Sequence, residues 1–217
     1  METFVLILNA TNFTHIDNEL LNFVSYERQS TIEKYLFDKD KRLSLYSSLL
    51  TKMQLSKLLN CAPNKLNFGF TALNKPCLLN KPEIFFNYSH SDYGILLGIS
   101  KENEIGVDMQ LCDNAIFSIM DIAFHPAEID YILSSNNTTT QSDRFFEIWT
   151  KKEAYTKSIG KGLTCELTKI NSLSYPIAIP MHTWKIQNYR CSSYTPKIES
   201  HTNTILSEHD IIDFFLH

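Results

Sequence analysis

Apolar residues recur along this chain with two periods, near two and between three and four, and the switches between them mark out its elements. Thr3 to Asn9 alternates and predicts a strand, after which Asp17 reads as the N-cap of a helix turning Leu20, Leu21 and Val24 inward. From Asp40 to Asn60 the spacing is helical, with Tyr46, Leu49, Leu50, Met53 and Lys57 on one broad face and Pro63 ending the element. Four short aliphatic and aromatic segments follow, Leu66 to Phe70, Ile84 to Tyr88, Gly94 to Ile99 and Ile105 to Gln110, and read as strands between turns. Helices are predicted over Ala115 to Ala123 and over Pro126 to Leu133, the second with Glu128 near its positive end. Ser134 to Thr140 is a polar break. The clearest helix, Gln141 to Ile159, comes next and is closed by Gly160 as a left-handed cap. Strands at Thr183 to Asn188 and Thr202 to Leu206, and a helix begun by Ser207, complete the order.

Helix followed by strands, twice over, predicts an α+β chain of two similar halves. No residue-level repeat relates them and no Gly, Ser or Pro linker separates them. The boundary is expected near Glu102 to Glu104, dividing an N-terminal subdomain, 1–103, from a C-terminal one, 104–217.

Composition changes this picture little. At 217 residues, with 43% hydrophobic and 20% charged, the chain suits one compact body. A net charge of −4 gives no general pull toward nucleic acid. Cys61, Cys77, Cys112, Cys165 and Cys191 are odd in number and form no Cys-x-x-Cys pair, so free thiols in a reducing, cytoplasmic setting are expected. The start, Met-Glu-Thr-Phe-Val, lacks the basic region of a signal peptide, and no segment approaches a membrane span.

Strand alternation over 105–111 sends Ile105, Val107, Met109 and Leu111 to one face and puts Asp108 and Gln110 together on the other, where Gly106 leaves room beside Asp108. On the helix, Phe145, Ile148, Trp149, Tyr155 and Ile159 form an apolar arc that includes Lys152; Glu153 and Lys157 are an i,i+4 pair on its shoulder. Lys152 either snorkels along Trp149 or binds phosphate. A strand enters a polar turn at Asn87-Tyr88-Ser89-His90-Ser91-Asp92, whose hydroxyls and imidazole can meet a phosphate. Adjacent residues at a strand end point apart, so Ser89 and His90 do not form an acyl-transfer triad. Zinc-type spacing and a Gly-rich phosphate loop are both missing from the sequence; Asp108, Glu153 and the neutral Gln110 suit an oxygen-ligated Mg²⁺.

In this order, Lys75-Pro76, the Phe-Asn-x-Ser-His-Ser run at 86–91, Ile-Gly-Val-Asp at 105–108, Trp149-x-x-Lys152-Glu153-x-x-x-Lys157 and Gly160-Lys161-Gly162-Leu163 resemble the surfactin-type phosphopantetheinyl transferases. The resemblance runs from about Asp40 to Leu163. It implies an α+β pseudo-dimer of two similar α/β subdomains with the active site between them. It also implies transfer of the 4′-phosphopantetheine arm of coenzyme A, as substrate, to a serine of an apo acyl carrier or peptidyl carrier protein, with release of adenosine 3′,5′-bisphosphate. Mg²⁺, or Mn²⁺ in its place, would sit on the pyrophosphate, held by Asp108, Glu153 and Gln110. Lys75, Pro76, Ser89 and His90 would meet the nucleotide and its 3′-phosphate, with Arg42 and Lys152 as further coenzyme contacts and Lys157 facing the pyrophosphate. Glu153, directly or through a water on the metal, would be the base. Two departures stand out: Gln110 replaces a third acidic ligand, and only Arg28 and Lys34 supply the basic residues expected between Glu27 and Lys34. The resemblance further implies a monomer and a carrier-docking role for Ala115 to Met120. The rival reading is a catalytically weak or inactive module that binds coenzyme A or a carrier protein.

Overall fold

The protein is described by a computed structural model covering residues 1–160 and 166–217; Lys161, Gly162 and Leu163 of the glycine-lysine tail, and Cys165, lie outside the described residues. The other cysteines are free thiols, Cys191 buried. No described helix is long and apolar enough to cross a membrane.

Strand β1 (Glu2–Ile7) is the expected alternating strand. It pairs antiparallel with β5 (Gly94–Ser100), which pairs antiparallel with β4 (Phe85–Ser91); with β9 (Thr202–Leu206) the sheet order is β4-β5-β1-β9. One face of this sheet is covered by the long helix α3 (Asp38–Leu59), whose Leu49, Leu50 and Met53 pack with Phe4, Leu6, Ile95 and Leu97 in the largest apolar cluster. Asn60 adopts φ 47° to cap it. Lys57, expected on the buried face, is exposed, because a lone ammonium gains nothing from burial without a partner.

The opposite face is covered by β6 (Gly106–Leu111). Its Ile105, Val107 and Met109 side packs on Val5 and Leu96, as alternation predicted. β6 is an edge of a second antiparallel sheet, β6-β8-β7, with β7 at Met181–Ile186 and β8 at Tyr189–Tyr194. Along its free edge, side chains of β4 take up the backbone donors: Asn87 Oδ1 accepts from Val107 N at 2.9 Å, and Ser91 Oγ from Leu111 N at 3.1 Å. The two sheets are thereby joined at the edge strand β4. Helix α6 (Thr138–Ser158) lies on the remaining face of β6 and β8, and its other side packs against α4 (Met120–Ala123) and α5 (Pro126–Leu133) through Phe124, Ile132, Phe145 and Ile148.

Several elements differ from expectation. Asp17 is the third residue of helix α1 (His15–Leu20), not its cap; Thr14 caps, and Asp17 reaches back to Thr14 N at 2.7 Å. The predicted Ala115 to Ala123 helix is a single 3-10 turn at Phe117–Ile119 running into the short α4. Helix α6 starts inside the polar break, because Asn137 accepts a capping hydrogen bond from Thr140 N. Helix α2 (Tyr26–Glu33) gave no apolar stripe, with only Ile32 buried. The β2 (Phe68–Phe70) and β3 (Pro76–Leu78) hairpin is too short for a period, and β8 buries Cys191, Ser192 and Ser193, small polar residues that mimic a loop. Gly160 has φ 69°, in the left-handed region expected of it.

The last strand, β9 (Thr202–Leu206), pairs parallel with β1, and Ile211 and Phe215 of helix α7 (Glu208–Leu216) enter the α3 cluster. Residues 202–216 thus pack with the first sheet. Arg42 fixes that return: it donates to Asp17 at 3.2 Å, Glu208 at 2.7 Å and the Ala10 carbonyl at 2.5 Å while only 2% exposed.

Candidate active site

Where β4, β6 and α6 meet, each element delivers polar side chains because its other face is committed to a core. Asp108, 1% exposed, is turned from the Val107 and Met109 side toward α6. Its Oδ1 accepts from Ser89 Oγ at 2.8 Å and from Lys157 Nζ at 2.6 Å, and its Oδ2 from Gln110 Nε2 at 3.0 Å. Lys157 also donates to Ser89 Oγ at 3.0 Å. Ser91 Oγ lies 3.5 Å from the Gln110 carbonyl oxygen. Glu153, one turn before Lys157, faces the same cluster: burial raises its pKa, the Asp108 carboxylate raises it further, and Lys157 only partly offsets both.

Gly106 plays a different part from the one spacing implied. A Cβ there would lie 1.9 Å from Ala154 O and 2.5 Å from Ser158 N, so the missing side chain admits helix α6, not a ligand. Thr150 Oγ1 lies 2.8 Å from Ser192 Oγ on β8 and adds a second close helix-to-sheet contact.

His90 leaves β4 on the opposite face from Ser89, as the alternation of adjacent residues requires. It lines a cavity of about 120 Å³ with Arg28, Tyr35, Asp40, Ser44 and Tyr88. Arg28 donates to Ser44 at 3.3 Å. Surrounding atoms lower the His90 pKa, and the Lys157 charge lowers it further. The cavity and the carboxylate cluster therefore flank one edge strand from its two sides. A larger cleft of about 410 Å³, lined by Cys112, Thr139, Asp143, Lys185 and Asn188, lies at the far end of α6. Its walls are mostly exposed polar side chains, and it contains neither Asp108 nor Glu153.

Of the residues expected here from sequence, the structure brings Ser89, Asp108, Gln110, Glu153 and Lys157 together and holds His90 just across β4. Three cations are elsewhere. Arg42 is saturated by Asp17 and Glu208 beneath α7. Lys75 is turned toward the C-terminal end of α6, where it pairs with Glu104 and donates to Ile105 O at 3.0 Å and Ser158 O at 3.2 Å; Pro76 simply opens β3. Lys152 is 2% exposed and pairs with Glu128 at 2.6 Å. In each case a carboxylate or carbonyl distant in sequence takes up the charge, and that pairing is invisible in the linear sequence. Arg28, which lines the His90 cavity, was not among the site residues expected from sequence; its signal there was as one of two cations, with Lys34, in the segment where basic residues were expected.

The donor set suits a hard divalent cation. Two carboxylates and an amide are oxygen ligands, and the strain that raises the Glu153 pKa beside Asp108 is of the kind a cation relieves. Among the described residues no group of three or more His, Cys, Asp or Glu side chains forms a metal site; the third candidate here, Gln110, is an amide. Asp108, Glu153 and Gln110 would hold such an ion once the amide turned its oxygen inward.

Two family models match the chain: "4′-phosphopantetheinyl transferase, N-terminal" over residues 14–101 and "4′-phosphopantetheinyl transferase superfamily" over 104–208. Among curated relatives, the 4′-phosphopantetheinyl transferase gsp of Aneurinibacillus migulanus is 35% identical over 150 residues, 69% of this chain and 61% of the relative. An L-aminoadipate-semialdehyde dehydrogenase-phosphopantetheinyl transferase of Schizosaccharomyces pombe is 33% identical over 157 residues, 64% of this chain and 59% of the relative. The 4′-phosphopantetheinyl transferase Sfp of Bacillus subtilis is 25% identical over 152 residues, 70% of this chain and 67% of the relative. The matched stretch spans about 61% of the first of these relatives.

Proposed function

The chain belongs to the 4′-phosphopantetheinyl transferase superfamily, and from that premise we propose that it moves the 4′-phosphopantetheine arm of coenzyme A onto a serine of an apo acyl or peptidyl carrier protein. The observation that carries this reading is the cluster of Asp108, Glu153, Lys157 and Gln110 on one side of β4, with the His90 and Arg28 cavity on the other. A nucleotide with its 3′-phosphate in that cavity, meeting Arg28 and His90, would lead its pyrophosphate over the strand edge to Lys157.

In the proposed reaction the carrier serine oxygen attacks the phosphorus that bears pantetheine. A new P–O bond forms, the bond from that phosphorus to the bridging oxygen breaks, and adenosine 3′,5′-bisphosphate departs. Glu153 takes the serine proton, a role its half-buried carboxylate fits. Lys157 balances charge on the departing phosphate, while Ser89 holds Asp108 in its orientation. Mg²⁺, or Mn²⁺ in its place, would supply electrostatic stabilisation of the pyrophosphate oxygens when bound. In this reading Arg42, Lys75 and Lys152, each paired within the fold, are not side-chain contacts to coenzyme A.

We take the halves to meet near residues 103–104, with residues 202–216 packed back on the first, and the protein to act as a cytoplasmic monomer whose carrier docks beside the exposed Ile116 and Ile122. Incubation with coenzyme A, Mg²⁺ and apo carriers, followed by mass spectrometry of the carrier, tests the reaction. A gain of one phosphopantetheine is expected. No gain across acyl and peptidyl carriers, with coenzyme A still bound, would favour a binding module instead.

A further inference from the structure

Lys152 and Glu128 form the most completely buried ion pair among the described residues, with side chains 2% and 0% exposed. Every charge in it is saturated. Glu128 Oε2 accepts from Lys152 Nζ at 2.6 Å and from His125 N at 2.8 Å, and Oε1 accepts from Ser172 N and Ser172 Oγ, both at 2.7 Å. Lys152 Nζ donates again to Ile170 O at 2.6 Å and lies 5.8 Å from the Phe124 ring centroid. The pair thus ties α6 to the first turn of α5 and to the 170–172 segment. Two apolar side chains of the same size would hold the fold as well or better, because they avoid desolvating charge. What an ion pair adds is direction.

We propose that Lys152 and Glu128 are positioning residues for the transfer reaction, fixing the rotation of α6 so that Glu153 faces Asp108. Lys152 is next to Glu153, about 100° away around the helix, so holding one side chain on the α5 side sets where the other points. Glycine at 106 and the Thr150 to Ser192 contact hold the sheet side of the helix at short range but through small groups. The pair holds the far side. A rotation of about 10° would carry a side-chain tip ~5–6 Å from the axis through ~1 Å. A displacement of that size at a reacting group costs about 10²-fold in rate. This inference rests on the transferase reading and extends it to Glu128, which touches neither substrate nor the carboxylate cluster.

The test uses Lys152→Met and the double variant Lys152→Met/Glu128→Gln in the full chain, with coenzyme A and adenosine 3′,5′-bisphosphate binding followed by calorimetry, turnover by carrier mass, and thermal unfolding. Expected for Lys152→Met are binding of both ligands within about twofold of wild type, a lower Tm, and kcat down about 100-fold with little change in KM. Removing the stranded carboxylate in the double variant should restore most of the Tm and leave kcat low. A double variant that regains kcat along with Tm would mean the pair only holds the fold. Weaker coenzyme binding in Lys152→Met with kcat intact would return Lys152 to the role of phosphate contact. Either result overturns the inference while leaving transfer itself standing. A wild-type protein that binds coenzyme A and modifies no carrier overturns the transferase reading, and this inference with it.

Discussion

In the proposed reaction Asp108 works by being crowded. With Lys157, Ser89 and Gln110 all donating to it, its carboxylate is held in place before any ligand arrives. Glu153 is its opposite, a carboxylate pushed toward protonation by burial and by Asp108. Glu153→Ala should therefore cost about 10²-fold or more in transfer rate, read by carrier mass, while coenzyme A binding in the absence of metal changes little. Gln110→Glu should restore a third carboxylate and tighten Mn²⁺ binding several-fold, measured by electron paramagnetic resonance on the protein alone, with activity kept. A second titrating group lies away from the site. His201 stacks on His182 at 4.7 Å between centroids and bonds Thr3 Oγ1 at 2.9 Å; burial, with the charge of His182 behind it, pushes its pKa down to about 4. The unfolded chain takes up this proton near pH 6.5 and the folded chain does not until about pH 4, so stability should fall as pH drops through that interval. Thermal melts from pH 7 to 4.5 should show the decline, and His201→Phe should flatten part of it.

Among the elements, α6 and β6 decide the site between them, and Gly106 sets their distance. Gly106→Ala forces a methyl into the Ala154 carbonyl, so α6 must lift from the sheet. The expected loss is about 1–3 kcal/mol or more in urea unfolding, with a fall in kcat larger than stability alone explains. The sequence made α6 and β6 legible because each carries a sustained apolar period on one side; it ended β4 at Tyr88, three residues early, because Ser89, His90 and Ser91 are polar yet strand-paired. It left α2 and β8 unseen for the same reason, since neither presents a clean stripe: α2 buries Ile32 alone and β8 buries serines. Helix boundaries slipped where capping, not hydrophobicity, sets the start, as at Thr14 and Asn137.

For the whole molecule, the controlling feature is that the chain's last elements complete its first sheet. β9 lies beside β1, α7 packs on α3, and the Arg42 guanidinium joins α1, α3 and α7 through Asp17 and Glu208. Arg42→Met strands the buried Asp17 carboxylate and the part-buried Glu208 and should cost about 3–5 kcal/mol of stability, seen as an earlier urea midpoint. Coenzyme A affinity of the folded protein should stay unchanged; a specific loss of that affinity would mean that Arg42 meets the coenzyme after all.

By itself the sequence determined which side chains share a face. Alternation put Asp108 beside Gln110, helical spacing put Glu153 beside Lys157, and adjacency sent Ser89 and His90 to opposite sides of their strand, because these relations follow from backbone geometry within one element. Only the tertiary structure decided how deeply each cation is buried. Arg42, Lys75, Lys152 and Lys157 look alike in the linear chain and all four meet a distant carboxylate in the fold, but Lys157 alone among them keeps a quarter of its side chain exposed, 26% against 3%, 9% and 2%. A buried charge takes whatever partner the packing brings, and that packing joins residues 24 to 166 positions apart.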